Sequence, residues 1–242
     1  MNIKKIVLAF CITVCSLQPS LIQAQYNWKY KIENGKAITE VPQRPEGQES
    51  ALNLSAPKMK VVRVAFVGLG MRGHDAVERW THIPGIQVVA LCDYERDRAE
   101  RCQDYLRKAS MPAAAIYSGE DGYKDLCKRK DIDLVYIAPD WKHHFLVAHE
   151  AMINGKHVAI EVPGAMNLSE IWQLIDLSEK KRLHCFMLEN CCYDFFELNA
   201  LNMAQKMSLG RFFTSKAHIA TILLNIGMNI GRKTHKINWV GD

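Results

Sequence analysis

Three glycines and one acidic residue form the first group in this sequence whose types and spacing could do chemistry. Gly68, Gly70 and Gly73 make a G-x-G-x-x-G pattern, and Asp93 follows it. In a dinucleotide site the first glycine permits a tight turn, the second admits a pyrophosphate, and the third lets helix and strand pack closely. An acid about twenty residues further on accepts hydrogen bonds from the adenosine ribose. The spacing predicts a dinucleotide site that favours NAD over NADP.

The elements around the glycines are those that such a site needs. Residues 61–67 are mostly apolar and β-branched, which predicts a buried parallel strand. A helix pattern follows, with Ala76, Val77 and Trp80 on one face, and residues 86–92 predict a second strand that ends at Asp93. The helix N-terminus would direct free N–H groups at the phosphates. The alternative is an ordinary tight turn in another kind of doubly wound domain.

Strand and helix patterns alternate from Lys60 onward. The six predicted strands are residues 61–67, 86–92, 116–117, 133–138, 158–160 and 185–188. Between and after them, the predicted helices include 95–108, 121–130, 168–181 and 193–206. We expect Leu168, Ile171, Trp172 and Ile175 to face inward on the third of these helices. On the last helix we expect Phe196, Ala200 and Met203 to do so. The alternation predicts an α/β fold, a Rossmann-type doubly wound parallel sheet.

Polar and aromatic residues follow the predicted strands at their carboxyl ends, where ligands bind in such sheets. Trp141 and His144 come after residues 133–138 and are candidates to contact the nicotinamide ribose. Alternatively, His143 and His144 are a solvated helix start and Trp141 covers the core. A metal site is disfavoured, because adjacent histidines on a helix point in different directions and no third ligand is suitably spaced.

The two ends of the chain differ in composition from the part between them. Lys4 and Lys5 precede a short apolar run, and residues 22–24 fit a cleavage site after Ala24. This pattern predicts that residues 1–24 are a bacterial signal peptide. We therefore expect an exported protein, either periplasmic or secreted. Residues 25–59 are polar and predict a linker or surface arm. The formal net charge of +5 lies in residues 1–24 and 211–242, so the nearly neutral body gives no argument for nucleic acid.

Six of the eight cysteines lie beyond the predicted signal peptide. They lack C-x-x-C spacing, which disfavours a metal site. We expect most of them to be small buried thiols, and the redox state of Cys191 and Cys192 stays open.

The segments GLGMRG, LCD, APDWKHH, EVP and MLEN resemble the Gfo/Idh/MocA oxidoreductase superfamily, over about residues 60–210. Within it, the chain is similar to glycoside hydrolase family 109, the NAD-dependent α-N-acetylgalactosaminidases. The resemblance implies that residues 60–192 are an NAD-binding domain and that 193–210 lead to a second domain. It implies an NAD site lined by Met71, Arg72, Asp93, Trp141, His144, Glu161, Val162 and Asn190. Glu161 and Tyr193 are the implied catalytic residues, although Tyr193 could instead be a core or helix-start aromatic.

The implied reaction is hydrolysis of a terminal α-N-acetylgalactosamine without net redox change. Hydride leaves C3 of the sugar for NAD, the C2 proton becomes acidic, the glycosidic oxygen is eliminated, water adds, and hydride returns. The superfamily's Glu-Lys-Pro is Glu161-Val162-Pro163 here, and the missing lysine argues against a sugar dehydrogenase, which is the first alternative. The second alternative is an inactive NAD-binding fragment. The expected partner is a small-molecule or glycan substrate, and a homo-oligomer stays open.

Residues 211–242 depart from the resemblance. No acidic residue occurs from 211 to 241. With permitted codons, the neighbouring reading frame can encode an acidic, aromatic segment like the family's next one. We therefore expect a frameshift near Gly210 that leaves the second, α+β sheet domain largely missing. The family's substrate-contacting Tyr and His would then fall at Ile219 and Thr221.

Overall fold

The computed structural model describes residues 30–34, 36–39, 41–52 and 54–206. The predicted signal peptide and the proposed frameshift segment lie outside these residues. Two short strands, β1 (Tyr30–Glu33) and β2 (Lys36–Thr39), pair as an antiparallel hairpin within the segment predicted to be a linker or arm. No helix in the described ranges is both long and apolar enough to cross a membrane.

The main sheet has six parallel strands in the order β5-β4-β3-β6-β7-β8. The strands are β3 (Val62–Val67), β4 (Ile86–Asp93), β5 (Ala115–Ser118), β6 (Leu134–Ile137), β7 (His157–Glu161) and β8 (Cys185–Leu188). The helices are α1 (Met71–Thr81), α2 (Arg96–Lys108), α3 (Gly122–Lys128), α4 (Trp141–Ile153), α5 (Leu168–Lys181) and α6 (Phe195–Gln205). The strand order reverses between β3 and β6, so the predicted doubly wound Rossmann-type fold is confirmed.

Helices cover both faces of this sheet, because successive side chains of a strand point to opposite sides. Along β3, Ala65 and Val67 pack into one apolar cluster, whereas Val64 and Phe66 pack into the other. All four side chains are nearly inaccessible to solvent. The buried part of such a strand must be apolar on both faces, which is the pattern that residues 64–67 show.

Two helices begin with side-chain caps. Asp140 accepts a hydrogen bond from the Lys142 backbone N–H at 3.0 Å and so begins α4. Asn167 accepts one from the Glu170 N–H at 3.0 Å, and the Glu170 carboxylate accepts one from the Met166 N–H. These bonds satisfy N–H groups that have no partner inside the helix. Capping at Asp140 matters for function, because it fixes the direction in which α4 leaves the sheet.

Two predicted helix faces were wrong in part: of the residues expected to face inward on α5, Trp172 is buried, whereas Ile171 and Ile175 are half-buried. On α5, Leu168 is exposed, and the buried residues are Trp172, Leu174, Ser178 and Glu179. The helix turns Leu174 and Ser178 inward, one helical turn apart, and the Ser178 hydroxyl donates to the Leu183 carbonyl. On α6, Phe196 and Met203 are exposed, because no described part of the chain covers that apolar face.

Among the described cysteines, free thiols occur at Cys92, Cys102, Cys127, Cys185 and Cys191. Cys92, Cys102 and Cys127 are buried as expected, whereas Cys185 is half-buried and Cys191 is exposed. Burial raises the pKa of Cys92 and of Cys127 to about 12, and the charge of Asp93 also raises that of Cys92. The thiols of Cys92 and Cys127 are therefore protonated at neutral pH and poor nucleophiles.

A short arm before the sheet is attached to α5 through a buried carboxylate. Arg44 donates two hydrogen bonds to Glu179, at 3.1 and 3.0 Å, and Gln48 donates a third at 2.9 Å. The Glu179 side chain is only 4% exposed, whereas that of Arg44 is 31% exposed. A carboxylate so deeply buried depends on such donors, so this part of the predicted arm is an integral part of the domain.

Replacing Arg44 with methionine should lower the free energy of unfolding by about 2 kcal/mol, because it removes two donors from a buried charge. Urea denaturation followed by circular dichroism measures the change. The control is Arg96→Met, which removes an exposed pair with Glu100 and should cost no more than about 0.5 kcal/mol. Equal losses in the two variants would contradict the role given to Arg44.

The amino end of β7 is held to β8 by a histidine. The Nδ1 atom of His157 accepts a hydrogen bond from the backbone N–H of His184 at 2.9 Å, and the two rings lie 5.1 Å apart. Burial lowers the pKa of His157, as does the charge of His184, while Asp133 opposes this shift. A protonated Nδ1 cannot accept this bond, so acid opposes the contact between the two strands.

Stability should therefore fall as the pH drops below about 6.5, the ordinary histidine pKa. Below this pH, His157 binds a proton in the unfolded chain, whereas in the folded protein it binds a proton only at a lower pH. The free energy of unfolding, measured by urea denaturation between neutral and mildly acidic pH, should have a smaller pH slope in His157→Asn. Asparagine keeps an acceptor oxygen and has no charge to gain. Burial also lowers the pKa of His149, so His149 accounts for the pH slope that remains in the variant. An unchanged slope would contradict this assignment.

Candidate cofactor site

The three glycines have the three different surroundings that a dinucleotide turn requires. Gly68 has a φ of +85°, and a Cβ there would lie 2.2 Å from the Pro139 nitrogen. A Cβ on Gly73 would lie 1.8 Å from the Gly68 carbonyl oxygen. At Gly70, by contrast, a Cβ would have no atom within 4 Å. The turn is therefore closed at Gly68 and Gly73 and open at Gly70, where the backbone can approach a ligand.

The first turn of α1 presents backbone N–H groups without side-chain competition. Gly70 is the N-cap, it supplies no capping side chain, and the first turn contains no acidic residue. The side chain of Met71 is largely exposed. An anion at this position would meet free N–H groups and the positive end of the helix dipole. This arrangement fits the pyrophosphate of a dinucleotide.

Asp93 supports the glycine turn as well as marking the end of β4. Its Oδ2 accepts a hydrogen bond from the Leu69 N–H at 2.6 Å, and its Oδ1 accepts one from the Glu95 N–H at 2.9 Å. Arg98 lies 3.5 Å from Oδ1, and the carboxylate is buried. The bond to Leu69 was not predicted, since nothing in the spacing of the two residues reveals it. Through this bond, Asp93, the predicted acceptor for the ribose, also holds the backbone of the glycine turn.

A cleft of about 270 Å³ opens beside this turn, at the carboxyl ends of β6 and β7. It is lined by Arg72, Ala138, Pro139, Trp141, His144, Glu161, Val162 and Asn190. Six of these are residues that the family resemblance implies for the NAD site. Ala138 and Pro139 were missed as lining residues, although their position directly after a strand could have indicated them.

An ion pair crosses the cleft and joins distant parts of the chain. Arg72 Nε donates to Glu161 Oε1 at 3.0 Å, and Arg72 also donates to the side-chain oxygen of Asn190. The hydrogen bond and charge of Glu161 raise the pKa of Arg72, so the guanidinium stays charged. Half of the Arg72 side chain is exposed, whereas Glu161 is largely buried. The cleft therefore contains one fixed carboxylate and one fixed cation.

Trp141 and His144 line the cleft, and their surroundings argue against the alternative interpretation, whereas their contact with the nicotinamide ribose stays a prediction. His144 is 1% exposed, with Nδ1 2.6 Å from the Pro163 carbonyl oxygen and Nε2 3.3 Å from that of Pro139. Both ring nitrogens face carbonyl oxygens, and the shorter contact places an N–H on Nδ1. His144 is therefore not part of a solvated helix start, and Trp141, 61% exposed, does not cover the core. His143 is the solvated member of the pair, close to Asp140.

Tyr193 lies outside this cleft. Its side chain is 86% exposed, two residues before α6, and it is not among the residues that line the cavity. Tyr193 is therefore not a core aromatic, whereas the helix-start alternative and the catalytic role both stay predictions. Among the described residues, no group of three or more His, Cys, Asp or Glu side chains could hold a metal ion.

Comparison with known proteins agrees with this geometry. The Gfo/Idh/MocA profile, described as an oxidoreductase family with an NAD-binding Rossmann fold, matches residues 62–189. The chain belongs to this family. Its cofactor is therefore NAD, which fits the open glycine turn and the acid at the end of β4.

Several relatives bear a more specific name. Glycosyl hydrolase family 109 protein 5 of Phocaeicola vulgatus is 60% identical over 214 residues, which cover 86% of this chain and 41% of the relative. Family 109 protein 1 of Bacteroides fragilis is 63% identical over 173 residues, covering 71% and 37%. This Gfo/Idh/MocA chain thus spans about two fifths of the length of these relatives.

Solved structures share the fold. Myo-inositol 2-dehydrogenase of Lactobacillus plantarum has a TM-score of 0.55 and 21% identity, over 64% of this chain and 44% of that one. The WlbA dehydrogenase of Chromobacterium violaceum, solved with NADH and UDP-GlcNAcA, has a TM-score of 0.55 and 17% identity, over 65% and 43%. At these identities the likeness concerns the fold alone.

Proposed function

We propose that this chain carries the cofactor site of an NAD-dependent glycosidase that acts on terminal α-N-acetylgalactosamine. The observation that carries the proposal is the cleft in which Glu161 and Val162 stand next to Arg72, with no lysine after the glutamate. The relatives named glycosyl hydrolase family 109 support the same assignment.

The cleft residues then have separate tasks. The N–H groups at the start of α1 bind the pyrophosphate, and Asp93 accepts hydrogen bonds from the adenosine ribose. Arg72 holds Glu161 by one carboxylate oxygen and Asn190 by its amide oxygen. The bound NAD supplies a reversible hydride acceptor. Trp141, which is exposed at the cleft, can cover the nicotinamide end of the cofactor and exclude water from it.

Glu161 is the group we propose to act on the substrate. Its Oε1 is engaged by protein donors, and its Oε2 has no bond to another described residue. A carboxylate oxygen in a mostly buried position can accept a hydrogen bond or a proton from a bound molecule. Tyr193, predicted from the resemblance, would complete the site only if the substrate reaches past the cleft to the start of α6.

Hydrolysis of an aryl α-N-acetylgalactosaminide by the full chain with NAD tests the proposal. We expect release of the aryl alcohol without accumulation of NADH, and a loss of about a hundredfold or more in Glu161→Gln. Accumulation of NADH with a free sugar would instead support a sugar dehydrogenase. Retention of NAD with no hydrolysis would contradict the proposal for this chain and support a cofactor-binding fragment.

We further propose that the protein is exported, on the basis of Lys4, Lys5 and the apolar run that follows. Fractionation of cells expressing the full chain checks this. We expect a periplasmic or secreted product shortened at its amino end, and a product of full length in the cytoplasm would contradict export.

A further inference from the structure

Tyr136 is a buried residue that reaches the cofactor cleft without lining it. Its side chain is 1% exposed, and its hydroxyl donates a hydrogen bond to Oε1 of Glu161. This is the same carboxylate oxygen that accepts from Arg72 Nε. Burial raises the pKa of Tyr136, and the hydrogen bond to Glu161 raises it further, so the phenol stays protonated and remains a donor.

The register of the sheet explains how this contact forms. Tyr136 on β6 stands opposite Ala159 on β7, and Glu161 is two residues further along the same strand. Residues two apart point to the same face, so the phenol ring and the glutamate share one face of the sheet. The small side chain of Ala159 leaves room for the ring to lean toward Glu161.

The ring itself cannot move freely. It packs against Phe66 at a centroid distance of 5.0 Å and against Trp80 at 5.4 Å, within the apolar cluster beneath α1. Its hydroxyl therefore approaches Glu161 from the core, while Arg72 approaches from the start of α1. Two donors from different elements fix one oxygen of the carboxylate and leave the other without a bond to any described residue.

We propose that Tyr136 is a positioning residue of the cofactor site: it holds Glu161 so that the Oε2 atom of the glutamate, which also faces the substrate in the proposed function, accepts a hydrogen bond from bound NAD. The inference rests on the cofactor occupying this cleft, as in the function proposed above. Tyr136 does not itself touch the ligand. It acts through the glutamate, whose orientation it sets together with Arg72.

A double-mutant cycle on NAD affinity tests this, with the dissociation constant measured by isothermal titration calorimetry on the full chain. Tyr136→Phe keeps the ring and removes the donor. We expect it to raise the dissociation constant about tenfold, since hydrogen bonds to charged groups are among the stronger ones. In a Glu161→Gln background the same change should alter the constant by less than about twofold, because the group that Tyr136 orients is already lost.

The matched control is Tyr105→Phe, which removes a hydroxyl that lies 3.3 Å from His74 and does not reach the cleft. It should leave NAD affinity within about twofold of the wild type. An equal tenfold loss from Tyr136→Phe in both backgrounds would show a merely structural role and overturn the proposal. So would the absence of any loss in the wild-type background.

Should Tyr136→Phe fail to fold, tyrosine labelled with carbon-13 at the hydroxyl-bearing carbon gives a second measurement. The resonance that Glu161→Gln shifts most identifies Tyr136, and NAD should shift the same resonance in the wild type. A resonance unmoved by saturating NAD would overturn the proposal.

Failure of glycoside hydrolysis with NAD binding intact would overturn only the proposed glycosidase, whereas failure of the wild type to bind NAD would overturn both.

Discussion

Alanine at position 73 should lower the free energy of unfolding of the NAD-binding domain by roughly 3 kcal/mol. The added Cβ would lie 1.8 Å from the Gly68 carbonyl oxygen, a backbone atom that cannot rotate away. Relief requires that α1 move away from the end of β3, which also disturbs the packing of Ala76 and Val77. Chemical denaturation of Gly73→Ala measures the loss, and a variant as stable as the wild type would show that the helix and the turn are not in close contact.

Alanine at position 70 should have the opposite effect: the protein should fold normally, and its affinity for NAD should fall about a hundredfold. The added Cβ meets no protein atom within 4 Å, and the φ of −67° at Gly70 suits any residue, so stability should change by less than about 0.5 kcal/mol. The methyl group would instead occupy the space into which the pyrophosphate must fit.

The two glycine variants serve as controls for each other, because both add one methyl group within the same turn. Calorimetric titration with NAD and urea denaturation, applied to both, separate the space needed for the ligand from the space needed for packing. If Gly70→Ala bound NAD normally, the phosphates would have to lie elsewhere than over this residue.

The fold could be predicted from the sequence where the information is local. Parallel strands buried on both faces are apolar at their buried positions, as residues 64–67 are, and the caps at Asp140 and Asn167 act within a few residues of themselves. The predicted cofactor residues Arg72, Glu161 and Asn190 meet in one cleft, because the carboxyl ends of parallel strands share one edge of the sheet.

The contacts that the sequence did not reveal depend on register and on neighbours. Tyr136 reaches Glu161 only because β6 and β7 pair with Tyr136 opposite Ala159, and no sequence pattern sets that register. The inward face of α5 was misplaced because a buried acid, Glu179, is stabilised by Arg44 from a segment that looks like a polar linker. Helical periodicity alone would place an acid on the solvent side.

The bond between Arg72 and Asn190 has a consequence for how the protein is made. Arg72 follows β3 near the middle of the sheet, and Asn190 follows β8 at its edge, 118 positions later in the chain. On the ribosome, β3, β4 and β5 can pair while the rest is still being synthesised, but the cleft has no outer wall until residue 190 has emerged. Capture of the cofactor therefore follows translation of the whole six-stranded sheet, and a nascent chain shorter than this cannot hold NAD in the completed cleft.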